Sequence, residues 1–213
     1  AQALFFRAWR YFDLVRLFKN VPLFTEPISP ADVFDVEQAA PEAVWAQIEA
    51  DLNAAIPNLP LTVPVEENGR ITKGAAQALL GKVILTQNNE GRMLEAANLF
   101  EAIHTSGVYQ LLPKYGDIFR PDNKFNAESI FEITHTSAAV GYWGPWPPAG
   151  EGHIFTQFCG PRAYTGPTYQ AGWGFNPIIP ETVNLLKGDP RYASTVANID
   201  SLEQAGVATY EKG

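Results

Sequence analysis

Thr72-Lys73-Gly74-Ala75-Ala76-Gln77-Ala78-Leu79-Leu80-Gly81-Lys82-Val83-Ile84-Leu85-Thr86-Gln87-Asn88-Asn89 decides the fold. Ala76, Leu79, Leu80, Val83 and Ile84 recur at the three-and-four spacing of an amphipathic helix, Thr72 is placed to cap its first turn, and Asn88-Asn89 stops it. A second helix follows at once, with Met93, Ala96, Ala97, Phe100 and Ile103 as its apolar face and Gly107 where a left-handed cap belongs. The short Asn88 to Arg92 link makes the two antiparallel neighbours. Small alanines opposite Leu, Phe and Ile let such helices approach closely, which is the chemistry of stacked helical hairpins.

Upstream, Phe5, Ala8, Phe12 and Val15 lie on one face of a helix that ends by Pro22. Arg7, Arg10 and Arg16 fall elsewhere on it and are expected to be solvated or paired locally. Pro41 at a first-turn position and Glu42 at the positive end open another helix, whose stripe is Val44, Ile48, Leu52 and Ala55 until Pro57 and Pro60 break it. Val21 to Ala40 is then a connector. The helix starts near Glu42, Thr72 and Met93 share no single period, so spacing alone does not establish a regular solenoid. Past Gly107, Ile130, Phe131 and Ile133 read as a short strand, and helix returns around Pro180 to Leu186.

Between Thr136 and Pro180 the formal charges are Glu151 and Arg162 alone, while aromatic residues crowd among glycines and prolines. Gly141-Tyr142-Trp143-Gly144-Pro145-Trp146-Pro147-Pro148 is excluded from helix interiors and central strands, so its rings are expected on loops. Flat rings with little charge suit a neutral polar ligand with apolar faces, a sugar first of all. Tyr142, Trp143 and Trp146 lead as platforms, because the neighbouring prolines stiffen the backbone that carries them. The alternative for each is the loop's own small core. The glycines flanking Trp173 favour a packed indole, and Tyr164 and Tyr169 stand between the two readings.

The 213 residues carry a net charge of -8, which argues against a nucleic-acid partner and against anionic ligands. One cysteine, Cys159, forms no internal disulfide, and the long uncharged run from Ala163 is too broken by Gly and Pro to span a bilayer. His104, His135 and His153 lack metal-site spacing, and neither a nucleophile elbow nor a phosphate loop occurs, so no cofactor, no metal and no catalytic residue is expected. Asp122-Asn123-Lys124-Phe125-Asn126 reads as a solvated turn and not a calcium loop. Gly188-Asp189-Pro190-Arg191 reads as a turn. The chain opens directly in helix-like sequence with no basic leader, and reads as a piece of something longer.

Four segments in this order resemble the SusD/RagB family of outer-membrane glycan-capture lipoproteins. They are Arg7-Ala8-Trp9-Arg10-Tyr11-Phe12 through Val21-Pro22-Leu23; Gly69-Arg70-Ile71-Thr72-Lys73-Gly74-Ala75-Ala76; Ser106-Gly107-Val108-Tyr109 with Glu128-Ser129-Ile130-Phe131-Glu132-Ile133; and Gly172-Trp173-Gly174 with Gly188-Asp189-Pro190-Arg191. The resemblance implies a mainly α fold of tetratricopeptide-like helical hairpins, an α-α superhelix spanning 1–110. A loop-rich subdomain with short strands, 111–213, would pack on it as one unit. It also implies a non-enzymatic protein, lipid-anchored at the surface of the outer membrane through an N-terminal cysteine absent here. Such a protein captures oligosaccharide or polysaccharide for polysaccharide utilization and passes it to a SusC-like TonB-dependent transporter. Ligand contacts are expected from Tyr142, Trp143, Trp146, Tyr164, Tyr169 and Trp173. A peptide-binding relative on the same scaffold and a purely protein-binding repeat module are the alternatives; a glycoside hydrolase ranks behind both.

Overall fold

The computed structural model describes residues 1–135 and 155–212. These form two compact units, one of Ala1–Pro113 with Arg120–Ile133, the other of Lys114–Phe119 with the described residues of Thr134–Gly213.

The first unit is built on four helices, α1 (Gln2–Phe18), α2 (Pro41–Ala55), α3 (Lys73–Thr86) and α4 (Met93–His104). The apolar stripes read from sequence supply its core: Phe5, Ala8, Phe12 and Val15 of α1 meet Val44, Ile48, Leu52 and Ala55 of α2, all buried. Each fully buried Val, Leu or Ile contributes about 1.5–3 kcal/mol. Successive helices pack on one another, α1 on α2, α2 on α3 and α3 on α4, as in hairpins of the tetratricopeptide type. The fold is mainly α.

Thr72 caps α3 as expected, its Oγ1 accepting from Ala75 N at 3.3 Å. Burial on α3 runs around the helix and not along one stripe, since Gly74, Ala75, Leu80 and Gly81 are covered along with Val83 and Ile84. Its two glycines receive rings. A Cβ at Gly81 would lie 2.5 Å from Cζ of Phe100 on α4, and one at Gly74 would lie 2.5 Å from the Tyr109 hydroxyl. On α4, Ala96 and Ile103 are buried as expected, but Ala97 is exposed and Leu99 packs against the core in its place. The face is rotated by the seating of Phe100 over Gly81. Gly107 adopts φ +72°, the left-handed conformation foreseen for it.

The connector from Val21 to Ala40 is closed by two-residue strands, β1 (Val21–Pro22) and β2 (Gln38–Ala39), paired antiparallel. Tyr11 fixes its start: the buried hydroxyl donates to Pro22 O at 3.3 Å and accepts from Phe24 N at 2.6 Å. The strand expected at Ile130 to Ile133 is not formed. That segment is irregular because ring packing and not a sheet partner holds it: Phe131 sits edge-on to Phe5 at 5.7 Å and to Trp9 at 5.5 Å.

Of the α1 arginines, Arg10 lies over Trp9 and Arg16 over Phe12, both local, whereas Arg7 reaches across to α2. Its guanidinium grips buried Asp51 through Nε at 2.7 Å and Nη2 at 2.6 Å, and Nη1 donates to Thr25 O at 2.8 Å. A second clasp joins α2 to the link between α3 and α4. Arg92 donates to both oxygens of Glu49 at 2.8 Å, and Gln87 adds a third bond at 2.7 Å.

Hydrogen bonding from Arg92, opposed in part by burial, holds the Glu49 carboxyl below its ordinary value of 4.5. A depressed carboxylate contributes stability above the unfolded value and loses it as pH falls through the folded one. Thermal midpoints are therefore expected to drop as pH falls below 4.5. Glu49→Gln should flatten part of that fall, worth about 1 kcal/mol for this partly exposed pair; an acid limb identical in the variant would assign it elsewhere.

Candidate functional site

Within the second unit, a five-residue helix, α5 (Phe155–Cys159), is followed by a chain reversal. A helix that short leaves its last carbonyls without internal partners. Here the returning segment supplies them: Trp173 N donates to Gln157 O at 2.7 Å, Phe175 N to Phe158 O at 2.8 Å and Gly174 N to Gly160 O at 2.9 Å. The approach is so close that a Cβ on Gly172 would lie 2.5 Å from Gly160 Cα. Of the glycines flanking Trp173, Gly172 packs backbone on backbone as the sequence suggested, Gly174 takes φ +64° in ordinary contact with Arg162, and the indole expected to be packed is only half-buried.

This docking sets the rings. Trp173, half-buried, has its ring centroid 5.3 Å from Phe158 and 5.5 Å from Phe175. Phe175 is 62% exposed, and with Trp173 and Arg162 it lines an open recess. Arg162 is fixed there by its Nε, which donates to Trp173 O at 3.3 Å, and by its backbone carbonyl, which accepts from Glu211 N at 2.9 Å. A little further on, Thr165 and Thr209 pair as an isolated antiparallel bridge. The recess therefore offers two aromatic walls and the stem of Arg162, a lining that is almost wholly apolar.

Tyr164 is buried at 6% exposure, its hydroxyl without a hydrogen-bond partner among the described residues. It serves as packing for Tyr169, which stands edge-on to it at 5.9 Å and is 42% exposed. Of the expected contact residues, the fold therefore places Trp173 in the recess, Tyr169 at the surface and Tyr164 inside. Tyr142, Trp143 and Trp146 lie outside the described residues. Phe175 and Arg162 were not foreseen as site residues. Strand alternation gave no signal for Phe175, because Gly174 between the two rings adopts φ +64° and the segment is not extended.

Three helices follow, α6 (Pro180–Leu186), α7 (Tyr192–Thr195) and α8 (Ile199–Gln204), the first where helix was expected to return. Between α6 and α7, Asp189 accepts from Arg191 Nε and Nη2, which holds its carboxyl at about 2. That pair closes a turn, and Arg120 and Asp122 do the same in theirs. Among the described residues no group of three His, Cys, Asp or Glu is placed to hold a metal ion, and no helix is long and apolar enough to cross a membrane.

Residues 1–85 match the family model described as SusD-like, starch-binding associating with outer membrane. Among curated proteins, SusD-like protein P25 of Formosa agariphila is 28% identical over 133 residues, covering 62% of this chain and 25% of its own length. A SusD-like protein of Bacteroides ovatus is 29% identical over 71% of this chain and 27% of its own. Among solved structures, a laminarin binding SusD-like protein matches the whole chain at 41% identity and a TM-score of 0.87, over 48% of its own length. Surface glycan-binding protein A from Bacteroides thetaiotaomicron, solved in complex with laminarihexaose, matches 96% of the chain at 29% identity and a TM-score of 0.81, over 43% of its length. The chain is SusD-like in sequence and in fold. It spans a quarter to a third of the curated relatives it matches and under half of these structures.

Proposed function

We propose that this chain is part of a non-enzymatic glycan-binding protein of the outer membrane, lipid-anchored at the cell surface, that captures oligosaccharide on aromatic platforms and passes it to a SusC-like TonB-dependent transporter. The observation that carries the reading is the recess of Trp173, Phe175 and Arg162, in a chain 41% identical to a laminarin-binding protein of the same fold. A pyranose presents C–H groups on its faces and hydroxyls at its rim. The rings suit the faces, and the nearly apolar lining leaves the rim hydroxyls to solvent. Tyr169, Tyr142, Trp143 and Trp146 are proposed as further contact residues.

By analogy with base stacking on aromatic side chains, each ring is worth about 1–3 kcal/mol. Two or three then give millimolar to micromolar affinity after association costs, which suits capture and release. Calorimetric titration with laminarihexaose is the test. Trp173→Ala is expected to weaken binding by about tenfold or more, from the loss of one stacking ring, and Trp143→Ala and Trp146→Ala to weaken it further. Chromatography should find the hexaose intact. Unchanged affinity in Trp173→Ala and Phe175→Ala would remove the recess from the site, and indifference to every neutral glycan would remove the function.

A further inference from the structure

A recess of about 240 Å³ lies wholly within the helical unit, remote in sequence from the 157–176 segment. It is smaller than the ~300–1,000 Å³ of drug-sized pockets and has room for about one sugar ring. Two backbone positions in the left-handed region shape it, Gly69 at φ +99° and Phe125 at φ +53°. Glycine takes that conformation without strain; phenylalanine does so only where its surroundings enforce it. Here Glu132 Oε1 accepts from Phe125 N at 2.8 Å, while Asn126 accepts from Glu128 N at 3.0 Å and donates to Asn123 O at 2.9 Å. The Phe125 ring is thereby held beside Gly69, whose missing side chain leaves the space open.

The polar lining carries both signs. Arg70 is 56% exposed and pairs with Glu67 at 3.3 Å, Glu132 is half-buried, and the Tyr109 hydroxyl is bonded to Thr72 Oγ1 at 3.1 Å. An anion would meet Glu132 and a cation would meet Arg70. A neutral polyol would use both, donating to the carboxylate and accepting from the guanidinium, with its C–H face on Phe125. We infer that this recess binds one hexose ring of a neutral glycan, a second contact distinct from the Trp173 and Phe175 recess. The inference rests on the reading of the ligand as a neutral glycan. A polymer offers many copies of the same ring, so a second weak contact raises retention without tight binding at either.

The test is amide chemical-shift titration of the full chain with laminarihexaose. Amides of Gly69, Arg70 and Phe125 are expected to shift saturably. Arg70→Ala, a change at an exposed side chain, should weaken those shifts about tenfold, the loss of one charge-assisted hydrogen bond, and leave the shifts of residues 173–175 unchanged. Phe125→Gly removes the ring while suiting the backbone, and should act likewise. Shifts at 173–175 with silence at Gly69, Arg70 and Phe125 would overturn the inference and leave the proposed function standing. Shifts at the recess that vanish in Trp173→Ala would mark them as propagated and overturn it too. Silence at both places would overturn both readings.

Discussion

Replacing Gly172 by alanine is expected to lower the stability of the second unit by about 3 kcal/mol and to abolish measurable binding at the Trp173 recess. The added Cβ would stand 2.5 Å from Gly160 Cα and 2.6 Å from the carbonyl oxygens of Gln157 and Gly160. All three obstacles are backbone, so no rotamer change relieves the contact, and the returning segment must lift off α5. That strips Gln157, Phe158 and Gly160 of the amides that satisfy their carbonyls and carries Trp173 away from Phe158. Hydrogen exchange should register faster protection loss at Trp173, Gly174 and Phe175 than in α2 or α3. Exchange there matching wild type would mean that the two glycines do not meet in solution.

Arg7→Ala is expected to cost about 3 kcal/mol, read as a lower urea midpoint at unchanged slope. Its partner Asp51 is 3% exposed, and truncating the arginine leaves that carboxylate with Gln47 Nε2 at 2.8 Å as its remaining side-chain donor. The penalty is that of a buried charge without its counter-ion, not the worth of one hydrogen bond. The double change Arg7→Met with Asp51→Leu removes both charges while filling the volume, and should recover most of the loss. A double variant as weak as Arg7→Ala would place the cost in packing of the arginine stem and refute the electrostatic account.

The helices of the first unit were legible because a periodic stripe comes with a stop, Pro57 after α2, Asn88-Asn89 after α3 and Gly107 after α4, whereas α5, α7 and α8, at four to six residues, are too short to show a period and were not expected. The Ile130 to Ile133 strand failed because alternation records only that residues face opposite sides. Nothing in Phe131 announces that its partners are Phe5 and Trp9, more than a hundred positions upstream. Arg7 is the same case, since its partner Asp51 is identified only once α1 and α2 are docked. At the aromatic segment the composition pointed to a ring-lined surface and the glycines to tight packing, and both properties meet at Trp173. What composition lacked was the docking of 172–176 onto α5, which sets Trp173 and Phe175 side by side, and the packing of Tyr164 beside Gly166, which takes it inside.

The slots at Gly74 and Gly81 are seven residues apart, two turns or about 10.5 Å along one face of α3. Tyr109 and Phe100 each occupy one of them, so the helix is keyed at two heights. Insertion or deletion of a single residue between the slots would swing one by about 100° and evict its ring. Length variation among descendants of this sequence should accordingly accumulate in the turns after α3 and in the stretch around Pro113 to Lys124, and spare the fourteen residues of α3.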